Sequence, residues 1–184
     1  MLVERTILPS QFSGATVVNC TCEANGCFGH INRAGKFEYV YLTPISDAND
    51  VSKKLYTTAT YEDYLVKTID KLQIRQEEDD IGVIVGSGTN AYIIENNFLF
   101  YGKSSEELKT IAENIFSRIQ GLVYRPFTAE GIGNPCIELG DAIRINSSDT
   151  VIESYVLSRT LKGVQSLKDS YEAAGTELRS EQVN

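Results

Sequence analysis

The most regular hydrophobic pattern in the chain runs from 104 to 119. Leu108, Ile111, Ala112, Ile115, Phe116 and Ile119 recur at three- and four-residue spacings, which puts them on one helix face. Ser104 and Glu107 have the spacing of a capping box at the start, and Gly121 stops the run. A helix over 104–119 with a core-facing stripe is therefore predicted. Elsewhere the period is two. Phe37, Tyr39 and Tyr41 alternate with Glu38, Val40 and Leu42, and residues 27–32 precede them across Arg33-Ala34-Gly35-Lys36. This reads as a hairpin in which Gly35 supplies a positive φ. Residues 64–75 alternate throughout and predict one long strand with one more exposed face. Residues 81–85 and 91–95 read as a strand and its return around the turn at 86–90. Residues 98–101 form an apolar landing segment, 122–128 is extended, and 151–161 is a long β-like run.

Other stretches carry mixed signals. Residues 15–25 fit a short helix stopped by Asn25-Gly26, yet Thr16, Val17, Val18 and Thr21 are β-branched and a strand over 16–22 competes. Residues 164–174 fit either a helix or a strand; a strand returning along 151–161 is preferred. Residues 43–60 are polar and read as a linker with one short strand near Leu55-Tyr56. Residues 1–13 look irregular, and 176–184 look frayed. Between 131 and 145 the chain reads as a turn at Gly133-Asn134-Pro135, a short strand, a tight corner at Leu139-Gly140-Asp141, and a strand through Ala142, Ile143, Arg144 and Ile145.

The fold class this implies is α+β. A small helix-plus-hairpin module over 1–58 leads into a barrel-like, mainly antiparallel β domain over 59–175, packed by the helix at 104–119. Residues 176–184 form a tail. At 184 residues the chain can bury a core without staples, and 42% hydrophobic with 23% charged residues is globular composition.

Charge narrows the function classes. A formal net charge of −8 argues against direct nucleic-acid binding, because phosphate neutralisation needs clustered Lys and Arg. No apolar run approaches the length of a membrane-spanning helix, and no signal peptide is evident, so synthesis in a cytosol is expected. Ten tyrosines supply most of the aromatic content, which suits β-structure, protein interfaces or sugar stacking.

Candidate chemistry is sparse. Cys20, Cys22 and Cys27 give C-x-C-x4-C, which matches no usual zinc spacing; Cys136 or His30 would have to complete a site. Reduced cysteines acting as small hydrophobes is the preferred reading. The acidic run 76–80 has hard oxygen ligands for a divalent cation but reads better as a solvated loop. Gly82, Gly86 and Gly88 have loop spacing, yet neither a helix nor Lys-Ser/Thr follows, so the context of a phosphate loop fails. His30 is the single histidine and is set opposite Phe28; a Cys27–His30 dyad would straddle one strand. Glu138 and Asp141 would serve as paired carboxylates for glycosidic cleavage, against a capping Asp141 and a solvated Glu138. No catalytic, cofactor-binding or metal residue is assigned, and no cofactor is expected.

The order of motifs carries a resemblance. Ile31–Lys36, the strand pair ending in Asn96-Asn97-Phe98-Leu99, the helix at 104–119, Tyr124-Arg125-Pro126-Phe127, Gly133-Asn134-Pro135-x-Ile137-Glu138-Leu139-Gly140-Asp141 and Ser158-Arg159-Thr160-Leu161 together resemble the baseplate hub and tail-associated proteins of tailed bacteriophages and prophages. The resemblance spans roughly residues 15–175, and Gly-Asn-Pro followed by Leu-Gly-Asp is its most specific part. It implies a non-catalytic virion structural protein, made in the bacterial cytoplasm and ending in the tail. Its barrel-like domains would form a ring, as a homotrimer, joining the tail tube to a spike or lysin. Partners would be further copies and other tail proteins, without nucleic-acid binding or membrane insertion. A negative lumen would repel DNA phosphates. The alternative is a carbohydrate- or protein-binding tail module; a cell-wall hydrolase ranks last.

Overall fold

A helix opens the described part of the chain. The computed structural model describes residues 12–32, 34–77, 80–147, 150–163 and 166–178. Helix α1 (Gly14–Ala24) starts at Ser13, whose hydroxyl accepts the Thr16 amide, and stops at Asn25 before Gly26 at φ 59°. The helical reading of 15–25 therefore wins over the strand: burial of Cys20, Cys22 and Ala24 outweighs β-branching. The hairpin follows as β1 (Phe28–Ile31) and β2 (Phe37–Val40), antiparallel, with Gly35 at φ 74°.

The polar segment expected to be a linker is more ordered than its composition implies. It holds a 3₁₀ turn (Ile45–Asp47), β3 (Asn49–Val51) and β4 (Tyr56–Tyr61). Both strands owe their existence to distant partners, and their polar side chains reflect exposure at sheet edges. The long strand predicted over 64–75 is reduced to β5 (Lys71–Ile74) and an isolated bridge between Val66 and Tyr124. Its expected exposed face survives only at Leu65 and Lys67; within β5 Leu72, Gln73 and Ile74 are all buried.

Strands β6 (Val83–Gly86) and β7 (Ala91–Ile94) appear where expected but do not pair with each other. β5 lies between them, antiparallel to β6 and parallel to β7. A 3₁₀ turn at Phe98–Phe100 is the buried landing segment. Helix α2 (Ser105–Ile119) carries the capping box: the Ser104 amide donates to Glu107 Oε2 at 2.9 Å, and the Glu107 amide donates to Ser104 Oγ at 3.3 Å.

β8 (Phe127–Ile132) continues the extended stretch. The short strand expected before the tight corner is missing; 133–141 is a succession of turns ending at Gly140, φ 90°. β9 (Ala142–Asn146) follows. The run expected over 151–161 divides into β10 (Val151–Tyr155) and β11 (Ser158–Lys162), which lie in different sheets. Between them the Val156 amide donates to the Asp141 carbonyl and the Leu157 amide to the Glu172 carbonyl, so the chain changes sheet there. β12 (Lys168–Ala173) is the preferred return strand and pairs antiparallel with β11.

The α+β class holds, with two α-helices and twelve strands among the described residues. Strand pairing gives four open sheets rather than a closed barrel: β1-β2, β10-β9-β3, β11-β12-β8-β4 and β6-β5-β7. The chain forms two compact units, each discontinuous in sequence. The first takes residues 12–40 and Thr68–Leu122. In it α2 lays Leu108, Ala112 and Ile115 on β5 and β6, around a core that includes Leu72, Ile74, Ile94, Phe100 and Cys20. The second takes Tyr41–Lys67 and Val123–Leu178. Its buried side chains include Phe127, Ala129, Ile143, Ile145, Ile152, Val156 and Tyr171. No helix of the described residues is long and apolar enough to cross a membrane.

Candidate functional site

The residues singled out for chemistry do not converge. Cys20 and Cys22 lie two positions apart on α1, and burial pushes both thiols above their ordinary pKa, so both stay protonated. Cys27 lies beyond the helix, its Sγ 3.6 Å from the Cys22 carbonyl oxygen it donates to. Cys136 belongs to the other unit and is exposed. His30 turns out to share the face of Phe28, as the two-residue strand period requires, and its Nε2 lies 3.0 Å from Glu38 Oε1. Among the described residues no group of three His, Cys, Asp or Glu side chains is placed to hold a metal.

The remaining motifs serve the backbone. Asp80 Oδ1 accepts the Gly82 amide, and the Asp80 carbonyl accepts Arg75 Nε. Glu78 and Asp79 lie outside the described residues. Gly82 and Gly86 have positive φ, and their backbones press on the carbonyls of Ile74 and Asp70, which explains both glycines without a ligand. Asp141 Oδ2 accepts the Glu138 amide at 2.8 Å, so the pair caps its own corner.

One polar cluster is built, and it lies under the Gly-Asn-Pro segment. Asp169 is inward-facing on β12 and 2% exposed. Arg159 on β11 reaches it twice, Nε to Oδ1 at 2.9 Å and Nη2 to Oδ2 at 2.6 Å. Tyr171 donates its hydroxyl to Oδ2 at 2.7 Å, and the Asn134 amide donates to the same oxygen at 3.2 Å. Arg159 also donates to the carbonyls of Asn134, at 2.8 Å, and Ile137. The side chain of Asn134 in turn accepts the Cys136 amide.

The electrostatics follow from this geometry. Burial pushes the Asp169 carboxyl up, but the Arg159 hydrogen bonds, the Tyr171 hydroxyl and the Asn134 amide together hold it below its ordinary value. The hydrogen bond to Asp169 raises Arg159 against the opposing effect of burial. Burial and the neighbouring carboxylate push the Tyr171 phenol well above its usual range. All three groups are fixed in one protonation state around neutrality. Every strong donor and acceptor is spent on its neighbours, so the cluster is a clamp on a loop, with no group left poised for proton transfer.

In the sequence Asp169 falls with Tyr171 and Ala173 on the apolar-leaning face of the strand at 164–174, without standing out as a candidate for chemistry. The signal was present: on β12, Asp169, Tyr171 and Ala173 share the inward face. A carboxylate on such a face requires a cationic partner.

A shallow cleft of about 220 Å³ opens at the end of the four-stranded sheet, where β4 and β12 finish and β8 begins. Tyr61, Glu62, Thr128 and Glu172 are among its walls.

No protein-family model matches the chain, and no curated protein matches its sequence. Several solved structures are similar to it, among them the following three. A 43 kDa tail protein of prophage MuSo2 from Shewanella oneidensis aligns at a TM-score of 0.47 and 9% identity, over 91% of this chain and 54% of that one. The phage P2 baseplate in its activated conformation with Ca aligns at 0.27 and 9% identity, over 68% of this chain and 40% of that chain. A topological model of the p2 virion baseplate in activated conformation aligns at 0.29 and 9% identity, over 92% and 56%. The chain thus spans about half the length of the first of these.

Proposed function

We propose that this protein is a non-catalytic structural component of a phage or prophage tail tip. In this reading copies of the chain join edge to edge into a ring at the baseplate hub, as a homotrimer, with other tail proteins as further partners. The observation that carries it is the sheet β11-β12-β8-β4. Its two edge strands are comparable in length, and among the described residues β11 pairs only to β12 and β4 only to β8. All three pairings are antiparallel, so β4 and β11 run antiparallel to each other. A neighbouring copy that set its β11 beside β4 would continue the alternation. Such a heterologous contact closes into a ring where the rotation allows. Edges of this kind are ordinarily shielded, and here both are exposed along most of their length.

The motif order supports the same reading, and so does the clamp. Asn134, Arg159 and Asp169 hold the Gly-Asn-Pro segment as a fixed element rather than a working loop. One part of the sequence expectation changes. The outer face of this sheet carries Glu130 and Glu172 against Lys162 and Lys168, with Thr58, Thr60, Thr128 and Thr160 between them. That face is balanced in charge, not negative, with Ile132 exposed among its polar groups, so it would neither grip nor strongly repel DNA phosphates.

The experiment is edge blocking. Proline removes a strand amide and admits no ladder partner on that side. Leu161→Pro on β11 and Ala59→Pro on β4, whose amides the strand register turns away from β12 and β8, should each abolish self-association while circular dichroism reports a folded chain. Self-association that survives both variants would refute edge pairing.

A further inference from the structure

We infer that Cys22 and Cys27 are a dithiol modification site that closes to an intramolecular disulfide by exchange with a small disulfide of the glutathione type, latching the end of α1 to the start of the hairpin. This is independent of the assembly reading, because both cysteines belong to the first unit and the β4 and β11 edges to the second.

The backbone leaving α1 brings the two side chains together. The Gly26 amide donates to the Glu23 carbonyl at 3.1 Å, and the Cys27 amide donates to the Cys22 carbonyl at 3.0 Å. With Gly26 at φ 59°, these two bonds make a Schellman motif. In that motif the second residue past the cap packs on the third helical residue from the end, and the contact is ordinarily hydrophobic. Here those positions are Cys27 and Cys22. Their side chains are hydrogen-bonded to each other, and Cys27 Sγ also lies 3.6 Å from the Cys22 carbonyl oxygen. The 3.0 Å amide bond and the covalent lengths on either side of it hold the two Cα atoms within about 7 Å, the reach of a disulfide.

The surroundings narrow the pairing. Cys20 lies two positions back, about 200° round the helix from Cys22, and packs into the core with Leu72 and Phe100. Cys136 belongs to the second unit. Gly29 on β1 keeps space beside the pair: a Cβ there would fall 3.1 Å from Cys22 Sγ and closer still to the Phe37 ring.

The order of reaction follows from exposure. Cys22 is buried, and burial keeps its thiol protonated, whereas Cys27 is half-buried. Exchange therefore begins at Cys27. Its thiolate attacks one sulfur of the small disulfide, forming a mixed disulfide and releasing one small thiol. Cys22, on losing its proton, attacks the Cys27 sulfur and displaces the second small thiol. The two cysteines give up two electrons and two protons, and the small disulfide becomes two thiols. The second step is favoured because its sulfur atoms are already neighbours. A reducing cytosol keeps the pair as thiols, and an oxidising medium closes it.

The full chain, incubated with excess oxidised glutathione, quenched in acid, alkylated and cut after Glu23, tests the bridge by mass spectrometry. The peptides ending at Glu23 and beginning at Ala24 should stay joined, and excess reduced glutathione should release them. Cys20→Ala should keep the link, whereas Cys22→Ser should abolish it and leave glutathione on Cys27. Cys136→Ser, which removes the exposed thiol and with it bridging between chains, should keep the link as well. Hydrogen exchange reads the latch itself. The Gly26 and Cys27 amides should exchange at least about tenfold more slowly once wild type is oxidised, with no such change in Cys22→Ser or Cys27→Ser. The inference is overturned if Cys22 and Cys27 both remain open to alkylation, if glutathione stays on Cys27 of wild type without closure, if the link survives Cys22→Ser, or if oxidation leaves both amides unslowed.

Discussion

Replacing Asp169 by alanine tests the clamp under the Gly-Asn-Pro segment. The carboxylate accepts four hydrogen bonds: two from Arg159, one from the Tyr171 hydroxyl and one from the Asn134 amide. Its loss strands a guanidinium whose side chain is only 13% exposed. Arg159 keeps the carbonyls of Ile137 and Asn134 but loses its counter-charge. Removing one partner of a buried ion pair costs about 3–5 kcal/mol, because the other charge remains desolvated. The Asn134 amide is also left without its acceptor, so the loss should fall in the upper half of that range. Urea unfolding reads it as a lower midpoint at unchanged slope. Replacing both partners, Arg159→Met with Asp169→Leu, should cost less than Asp169→Ala alone, since no unpaired charge is then buried. The pH dependence has a defined sign. The folded carboxyl titrates below its ordinary value, so the clamp's contribution is complete above the unfolded pKa of about 3.9. It is lost as pH falls through the lower folded value. An Asp169→Ala protein within about 1 kcal/mol of wild type at neutral pH, the size of an exposed pair, would refute this reasoning.

Three further outcomes follow from the packing. Leu108→Ala on α2 removes a fully buried side chain from the first unit and should cost about 2–5 kcal/mol by urea unfolding. Gly82→Ala should destabilise by more than about 1 kcal/mol, because φ is +63° and a Cβ would fall within 1.9 Å of the Ile74 carbonyl oxygen. Burial raises the pKa of Glu23 against the opposing Asn97 hydrogen bond. The stability this gives is complete at acid pH and is lost as pH rises through the folded value. Unfolding midpoints of Glu23→Gln and wild type should therefore differ little in acid and diverge toward neutral pH, with the variant the more stable.

Local signals were legible where local physics decides. Helix α2 is readable because a capping box, six apolar positions and a stop all agree, and the hairpin because Gly35 and the alternating aromatics agree. The failures share a cause, pairing between residues far apart in the chain. β4 looks like linker because its outer positions are threonines, and its strand character comes from β8, some seventy residues on. The alternation at 64–75 is real in sequence, but the ladder exists only where β6 and β7 flank it, at Lys71–Ile74. The run at 151–161 has no internal turn signal, and its break comes from hydrogen bonds to Asp141 and Glu172. The candidate chemistry fared likewise. Asp141 could be read as a capping residue from its corner alone, whereas the clamp needed β11, β12 and the turn after β8 brought together, which no spacing along the chain encodes.

The central claim is that the β4 and β11 edges join copies of this chain, and solution mass tests it most directly. Light scattering on the full chain, from micromolar to millimolar concentration, should show the mass rising to three chain masses and no further. The Ala59→Pro and Leu161→Pro variants should stay at one. A wild-type mass that remains at a single chain across the whole range would contradict the account.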